Sequence, residues 1–180
     1  MSPAAVLVQS VNTPGGGHIG MVACPGALGC LHQDIAKLKS WGACGLVSLV
    51  ESHELEPLKM SDLEAAAQDA GLWWRHLPII DRGIPDKVFE KCWLLEGLRV
   101  RRLLGEGESV VFHCWAGLGR SGMITARVLI EMGCETSEAI RQVREARPGA
   151  IETAAQWAVL QGLVSERSLR GSRNDRLPNR

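Results

Sequence analysis

The chain has 180 residues with 20 basic and 20 acidic side chains, so its formal net charge is zero. That length suits one globular domain, and the charge balance excludes the global positive field that draws a protein to nucleic acid or an anionic membrane. With 46% hydrophobic and 22% charged residues the chain does not read as disordered, and no apolar run approaches the ~18 residues of a membrane span. Met1 to Asn12 has no basic n-region, only the brief apolar stretch Val6 to Val8, so no secretory leader is expected. The six cysteines, at 24, 30, 44, 92, 114 and 134, are then expected to be mostly reduced thiols of a cytoplasmic monomer.

In chain order, Val6 to Val11 is a β-branched run closed by Asn12-Thr13-Pro14 and three glycines, and His18 to Ala23 is a second short strand. Ile35, Leu38 and Trp41 have helical spacing over Asp34 to Trp41, with Gly42 as the C-terminal cap. Leu46 to Val50 is an apolar run of strand length. Ser61 and Glu64 form a capping box for a helix that Gly71 closes. Trp73 to Ile80 is a strand broken by Pro78; Asp81-Arg82-Gly83 is a loop, and Pro85 starts a long amphipathic helix through about Leu104.

Val110 to Phe112 is a short buried strand running into His113-Cys114. Helices follow over about Arg120 to Met132, Thr136 to Arg147 and Thr153 to Val164. Strands alternating with helices predict a single α/β domain, residues 1–165, with a mostly parallel central sheet of four to five strands flanked by helices. Residues 166–180 hold five arginines and two acids, and are expected to be a basic, flexible tail. Without it the body has 15 basic and 18 acidic residues, a charge of −3.

The stretch that carries chemistry is His113-Cys114-Trp115-Ala116-Gly117-Leu118-Gly119-Arg120-Ser121. A buried strand delivers a cysteine to a glycine-bearing loop, and a helix begins six residues later at an arginine. Glycines at 117 and 119 allow successive N–H groups from Trp115 to Gly119 to turn inward as an anion-binding nest. The helix start adds unpaired N–H donors and the positive end of the dipole. Arg120 supplies a planar fork for two phosphate oxygens, and Cys114, in that positive setting, is expected to be thiolate at neutral pH. A thiolate at the floor of a phosphate cradle is a nucleophile aimed at phosphorus, with hydrolysis of a phosphocysteine as the second step. Ser121 is placed to hydrogen-bond the sulfur as it leaves. His113 is expected to brace the loop rather than transfer protons.

The His113-Cys-x5-Arg120-Ser121 pattern resembles the signature of the cysteine-dependent protein phosphatases, tyrosine and dual-specificity. Ile19-Gly20 through Gly26, Asp34 through Gly42 and Pro78 through Asp86 resemble the cyclin-dependent-kinase-associated branch, and Arg147 through Gln156 resembles the small atypical dual-specificity members. The resemblance implies a protein tyrosine phosphatase-like fold and removal of phosphate from phosphotyrosine or phosphoserine/threonine in proteins. It also implies no metal and no cofactor, and a phosphorylated protein partner that could itself be a kinase. In larger relatives a glutamine stands at the position of Glu152 and helps place the hydrolytic water; here Glu152, with Gln156 a helical turn on, could serve similarly or be a surface carboxylate.

Expulsion of the leaving group needs a proton donor. Asp86 falls in the first turn of a helix, where dipole and free N–H groups favour its charged form. Asp81, in an apolar approach before Gly83, is the expected general acid, as the resemblance also implies. Two other classes stay open: hydrolysis of a phosphoinositide or RNA 5′-phosphate, and phosphate recognition without turnover. The loop lacks the extra lysines expected for a polyanionic headgroup, and pocket depth depends on walls around Asp81 and Ser52-His53-Glu54.

Gly15-x-Gly17-x-x-Gly20 matches a dinucleotide-binding pattern, but a strand-like segment follows it, so no nucleotide site is expected. Cys24, Cys30 and His32 lack a second ligand pair and are read as packing. Cys44 and Cys92 are expected in the core, and any cysteine beside Cys114 in space could protect it as a disulfide. The tryptophans are expected to be mostly core, with Trp115 packing behind the loop.

Overall fold

The computed structural model describes residues 6–58 and 60–163; the basic segment 166–180 lies outside them. Five strands form one sheet: β1 (Gln9–Asn12), β2 (His18–Val22), β3 (Ala43–Ser48), β4 (Trp73–His76) and β5 (Ser109–His113). Their order is β1-β2-β5-β3-β4, with β1 antiparallel to β2 and every other pair parallel. The helices are α1 (Leu31–Trp41), α2 (Met60–Asp69), α3 (Lys87–Gly105), α4 (Gly119–Glu131) and α5 (Thr136–Ala146), then α6 over 154–163, with a 3-10 helix at Ser52–Leu58. The expected α/β domain with a mostly parallel sheet is the one observed.

Hydrophobic pattern located the elements, and tertiary contacts set their ends. The first strand begins at Gln9 rather than Val6, because the Val6 N–H is taken by Asp34 Oδ1 at 3.2 Å. Asp34 also accepts from the Gly26 N–H at 3.0 Å, so one buried carboxylate ties the approach to β1 and the loop after β2 onto α1. Gly42 ends α1 with φ +105°, the left-handed cap expected of it. The third strand starts earlier than its apolar run, at Ala43, and α2 begins at Met60, so Ser61 is inside the helix and is not its N-cap. The glycines at 15 and 17 form no helix start. They make the β1–β2 turn, where a side chain at Gly17 would lie 2.7 Å from the Leu104 carbonyl of α3.

Every residue of β5 is buried, between β2 and β3. This is the position at which an open parallel sheet offers a crevice beyond its carboxyl edge. The helix α3 presents Phe89, Trp93, Gly97, Val100 and Leu104 to the core at helical spacing. Its neighbour α4 is buried from Gly119 to Ile130, and Arg127 on it pairs with Glu90 of α3 through two hydrogen bonds at 2.6 and 2.8 Å. Trp93 is a core residue and Trp41, Trp73 and Trp74 pack against the core, but Trp115 and Trp157 are exposed, against expectation. Cys92 is also exposed, since it lies on the outer side of α3. All six cysteines are free. Among the described residues no helix is long and apolar enough to cross a membrane.

Asp86 is the N-cap of α3 rather than a residue of its first turn: its carboxylate accepts from the Phe89 N–H at 2.7 Å. Asp86→Ala is expected to lower stability by about 1 kcal/mol, the usual cost of losing such a cap. Chemical denaturation measures it, and turnover of a small phosphomonoester should change little.

Candidate active site

The fully buried β5 ends at His113, and the chain turns through 114–118 into α4. Gly117 makes the turn with φ +70°, and a Cβ there would lie 2.6 Å from the Ala23 nitrogen, so the loop wraps tightly over the end of β2. Arg147 grips the loop from outside, donating to the Ala116 carbonyl at 3.0 Å and the Gly117 carbonyl at 3.2 Å. Carbonyls drawn towards Arg147 leave the peptide N–H groups to face the other way, the polarity an anion nest requires. Leu118 caps α4 without a side-chain hydrogen bond, so the first amides of that helix add to the nest.

Cys114 lies at the base of this loop, 3% exposed, with its Sγ 3.5 Å from Ser121 Oγ. Arg120 is 2% exposed, and its partners span the molecule. Nη1 donates to Glu54 Oε2 at 2.6 Å and the Ile79 carbonyl at 3.1 Å, while Nη2 donates to Glu54 Oε1 at 2.8 Å and pairs with Asp81 Oδ1 at 3.0 Å. Its Nε has no protein partner among the described residues. Burial pushes the Glu54 carboxyl up, but hydrogen bonds from Arg120 and the Glu51 N–H outweigh it and hold Glu54 below the usual carboxylate range. Burial opposes the charge on Arg120 as well, and the paired carboxylate of Glu54 more than compensates.

The expected acid, Asp81, reaches Arg120, but the apolar run before it anchors the loop instead of enclosing the carboxylate. Leu77 and Ile79 are buried, whereas Asp81 is 65% exposed. Arg82 next to it has φ +56°, and Ile151 has φ +62°; among the described residues these two are the non-glycine residues with left-handed backbone, and both flank the site. Gln156, fully buried, donates to the Gly83 carbonyl of the acid loop at 3.1 Å and accepts from the Glu152 N–H at 2.9 Å. Glu152 precedes α6 rather than sharing a helical face with Gln156, and its carboxylate crowds Gly119 so closely that a side chain there would collide with it.

The indole of Trp115 is 45% exposed at the mouth of the loop rather than packed behind it. The Trp115 backbone carbonyl accepts from the Cys24 N–H at 3.0 Å. Cys24 is thereby the cysteine brought to the cradle; burial first, and then the neighbouring Cys114, push its thiol up to about 12.

Ser48 is a contributor the sequence reading missed, while Glu54, expected as a pocket wall, and Arg147, expected only as the start of a resembling segment, hold the site through contacts not foreseen. Their signal was weak but present: Ser48 and Glu54 lie at and just beyond the carboxyl end of β3, at the edge where such sites form. Both ring nitrogens of His113 have partners at the base of the loop. Its Nδ1 faces the Cys114 carbonyl at 3.4 Å and so carries the proton; Nε2, 2.6 Å from Ser48 Oγ, accepts from that hydroxyl. Ser48 in turn accepts from the Trp74 indole at 2.9 Å.

A sheet of this order with a cysteine–arginine loop at its carboxyl edge is the protein tyrosine phosphatase architecture. A family model described as a polymorphic toxin system DSP-PTPase phosphatase matches residues 19–134. The chain is 31% identical over 134 residues to cyclin-dependent kinase inhibitor 3 of Rattus norvegicus, a match covering 72% of this chain and 61% of that protein. It is 30% identical over 153 residues to the Homo sapiens protein of the same name, covering 79% and 69%. The chain thus spans about three fifths to two thirds of the length of these relatives. Among solved structures it resembles a kinase associated phosphatase in which the catalytic site cysteine is replaced by serine, with 25% identity and a TM-score of 0.77, covering 91% of this chain and 96% of that one. The chain belongs to the dual-specificity phosphatase family within that superfamily.

Burial holds the His113 imidazole neutral, its pKa lowered from 6.5 to about 4. The unfolded chain therefore binds a proton that the folded chain refuses between those values, so folding stability falls as pH drops from 6.5 to about 4. The loss attributable to this residue is about 3 kcal/mol. Denaturation midpoints measured across that range should show it in the wild type and show it much reduced in His113→Gln.

Proposed function

We propose that the chain hydrolyses phosphomonoesters on proteins, phosphotyrosine and/or phosphoserine/threonine, through a phosphocysteine intermediate formed on Cys114, and that residues 1–165 form the catalytic domain. The observation that carries this reading is the buried Arg120, in the first turn of the helix that follows the cysteine loop and fixed there by Glu54, with the Ala116 and Gly117 carbonyls of that loop turned out to Arg147. A substrate phosphate is gripped by the N–H groups of Trp115 to Gly119 and by Nε and Nη2 of Arg120, and it displaces Asp81 from Nη2. The Cys114 thiolate attacks phosphorus while Asp81, protonated, gives its proton to the leaving oxygen, so the P–O bond breaks as the S–P bond forms. Water then attacks the phosphocysteine and gives its proton to Asp81. Sulfur leaves with its charge eased by the Ser121 hydroxyl, and inorganic phosphate is released.

Nucleophile and proton donor come from side chains, and charge neutralisation from Arg120 and the loop amides, so this chemistry calls for no metal. His113, neutral and bonded on both nitrogens, orients the loop and moves no proton. Gln156 positions the acid loop through Gly83, and Glu152 stands beside Gly119, where it can order the attacking water. The names of the relatives, a cyclin-dependent kinase inhibitor and a kinase associated phosphatase, support a phosphorylated kinase among the substrates.

Hydrolysis of p-nitrophenyl phosphate, blocked by vanadate and insensitive to chelator, tests the activity. Cys114→Ser is expected to abolish it while retaining vanadate binding, and turnover near wild type would refute the assignment. Asp81→Ala should lower kcat by roughly 10²–10⁴. For Glu54→Gln, vanadate affinity measured calorimetrically should weaken about tenfold, the scale of one charge-assisted hydrogen bond.

A further inference from the structure

On its inner side α3 carries the core stripe described above. Its outer side is apolar too: Val88 is 70% exposed, Leu94 69%, Leu95 75% and Leu98 58%. A helix with only solvent outside places polar residues there. These aliphatics occupy two adjacent rows, Lys87-Lys91-Leu94-Leu98 and Val88-Leu95-Arg99-Arg102, so leucines and cations share one strip.

Ion pairs frame the strip on both flanks. Towards α4, Glu90 is held by Arg127; towards β4, Glu96 is held by Arg75 at 2.5 Å, and Arg99 lies 4.4 Å over the Trp73 ring. The bordering acids are thus consumed, whereas Lys87 and Lys91 make no ion pair among the described residues. The surface between the rims is apolar with a positive excess. At one end Asp86 caps the helix next to the acid loop, and exposed Ile84 and Ile80 extend the apolar surface to the rim of the cleft at Asp81. At the other end Leu104 meets the β1–β2 turn through the Gly17 N–H. From Lys87 to Arg102 the strip therefore runs about 22 Å along the side of the molecule, away from the cleft.

We propose that this strip docks an acidic, aliphatic-bearing segment of the phosphoprotein substrate, a segment separate from the phosphorylated residue and continuous with it along the cleft rim. The proposal rests on the protein phosphatase reading above and adds how the substrate is chosen. Charge selects the occupant: Arg102 is paired with Glu106, but a second copy would still set its own Lys87 and Lys91 against this strip, and residues 166–180 bring five arginines to it. A bilayer laid flat along α3 would leave the cleft, at the end of the helix, facing sideways from its phosphates. A peptide chain can follow the helix and enter the cleft, with carboxylates meeting Lys87 and Lys91 and aliphatic side chains covering Leu94, Leu95 and Leu98.

The test selects binders of the full chain from a displayed library of random linear peptides and joins the winners to a phosphotyrosine peptide. Winners rich in Asp or Glu together with Leu, Ile or Val are expected, and in the joined substrates they should raise kcat/KM about tenfold through KM. Lys87→Glu/Lys91→Glu and Leu95→Ser/Leu98→Ser should each erase that gain and leave p-nitrophenyl phosphate kinetics unchanged. No hydrolysis of p-nitrophenyl phosphate by the wild type would overturn the enzymatic reading itself. With that hydrolysis intact, neutral or basic winners, or winners indifferent to both double variants, overturn the docking strip. So does a wild-type dimer that both variants dissolve, or wild-type binding to phosphatidylserine vesicles that both variants abolish while acidic peptides fail to bind.

Discussion

The site depends on a guanidinium taken out of water. Arg120 is almost wholly buried, and a lone buried cation is costly enough that the fold must supply a counter-charge. Glu54 supplies it from the segment after β3, the Ile79 carbonyl from the approach to the acid loop, and Asp81 from the loop itself. One side chain thus gathers two separate stretches of chain, the segment after β3 and the 79–81 loop, around the Cys114 loop. The cradle and the acid are held in mutual register by their common partner rather than by contact with each other. On the mechanism proposed above, Asp81, paired with Nη2 at 3.0 Å, stands where a substrate phosphate would take its place.

The parts legible in sequence were those in which cause and effect are neighbours. Cys114, Gly117, Gly119, Arg120 and Ser121 lie within one turn and one helix start, so their geometry follows from loop and dipole physics that spacing alone conveys. The buried run at 110–112 and the glycine stop at 42 were readable for the same reason. What sequence did not convey were the long-range clauses. Arg120 meets Glu54 66 residues away, His113 meets Ser48 65 residues away, and Arg147 reaches back 30 residues to Gly117. Each of those residues is unremarkable in its own neighbourhood.

Tertiary competition also explains the local misreadings. Val6 to Val8 has the composition of a strand, but Asp34 claims the Val6 amide and the sheet starts later. Trp115 and Cys92 belong to residue types that favour interiors, yet the tight turn exposes the first and the outer side of α3 exposes the second. An amphipathic assignment for α3 captured its inner stripe and concealed that the outer one is apolar as well. Composition along a helix reports how much apolar surface exists, not which part the rest of the chain covers.

The bond from Gln156 to the Gly83 carbonyl gives the molecule an order of completion. On a ribosome, the sheet, the cysteine loop and even the Arg147 clamp are all synthesised before residue 156 emerges. The acid loop is then the last piece to be tied, by a side chain from the final described helix. A nascent or truncated chain ending near residue 150 would carry a phosphate cradle without its tethered acid. On the reading proposed above, such a chain could bind a phosphomonoester but would lack the tethered acid that expels its leaving group, so Gln156 links completion of the last described helix to turnover.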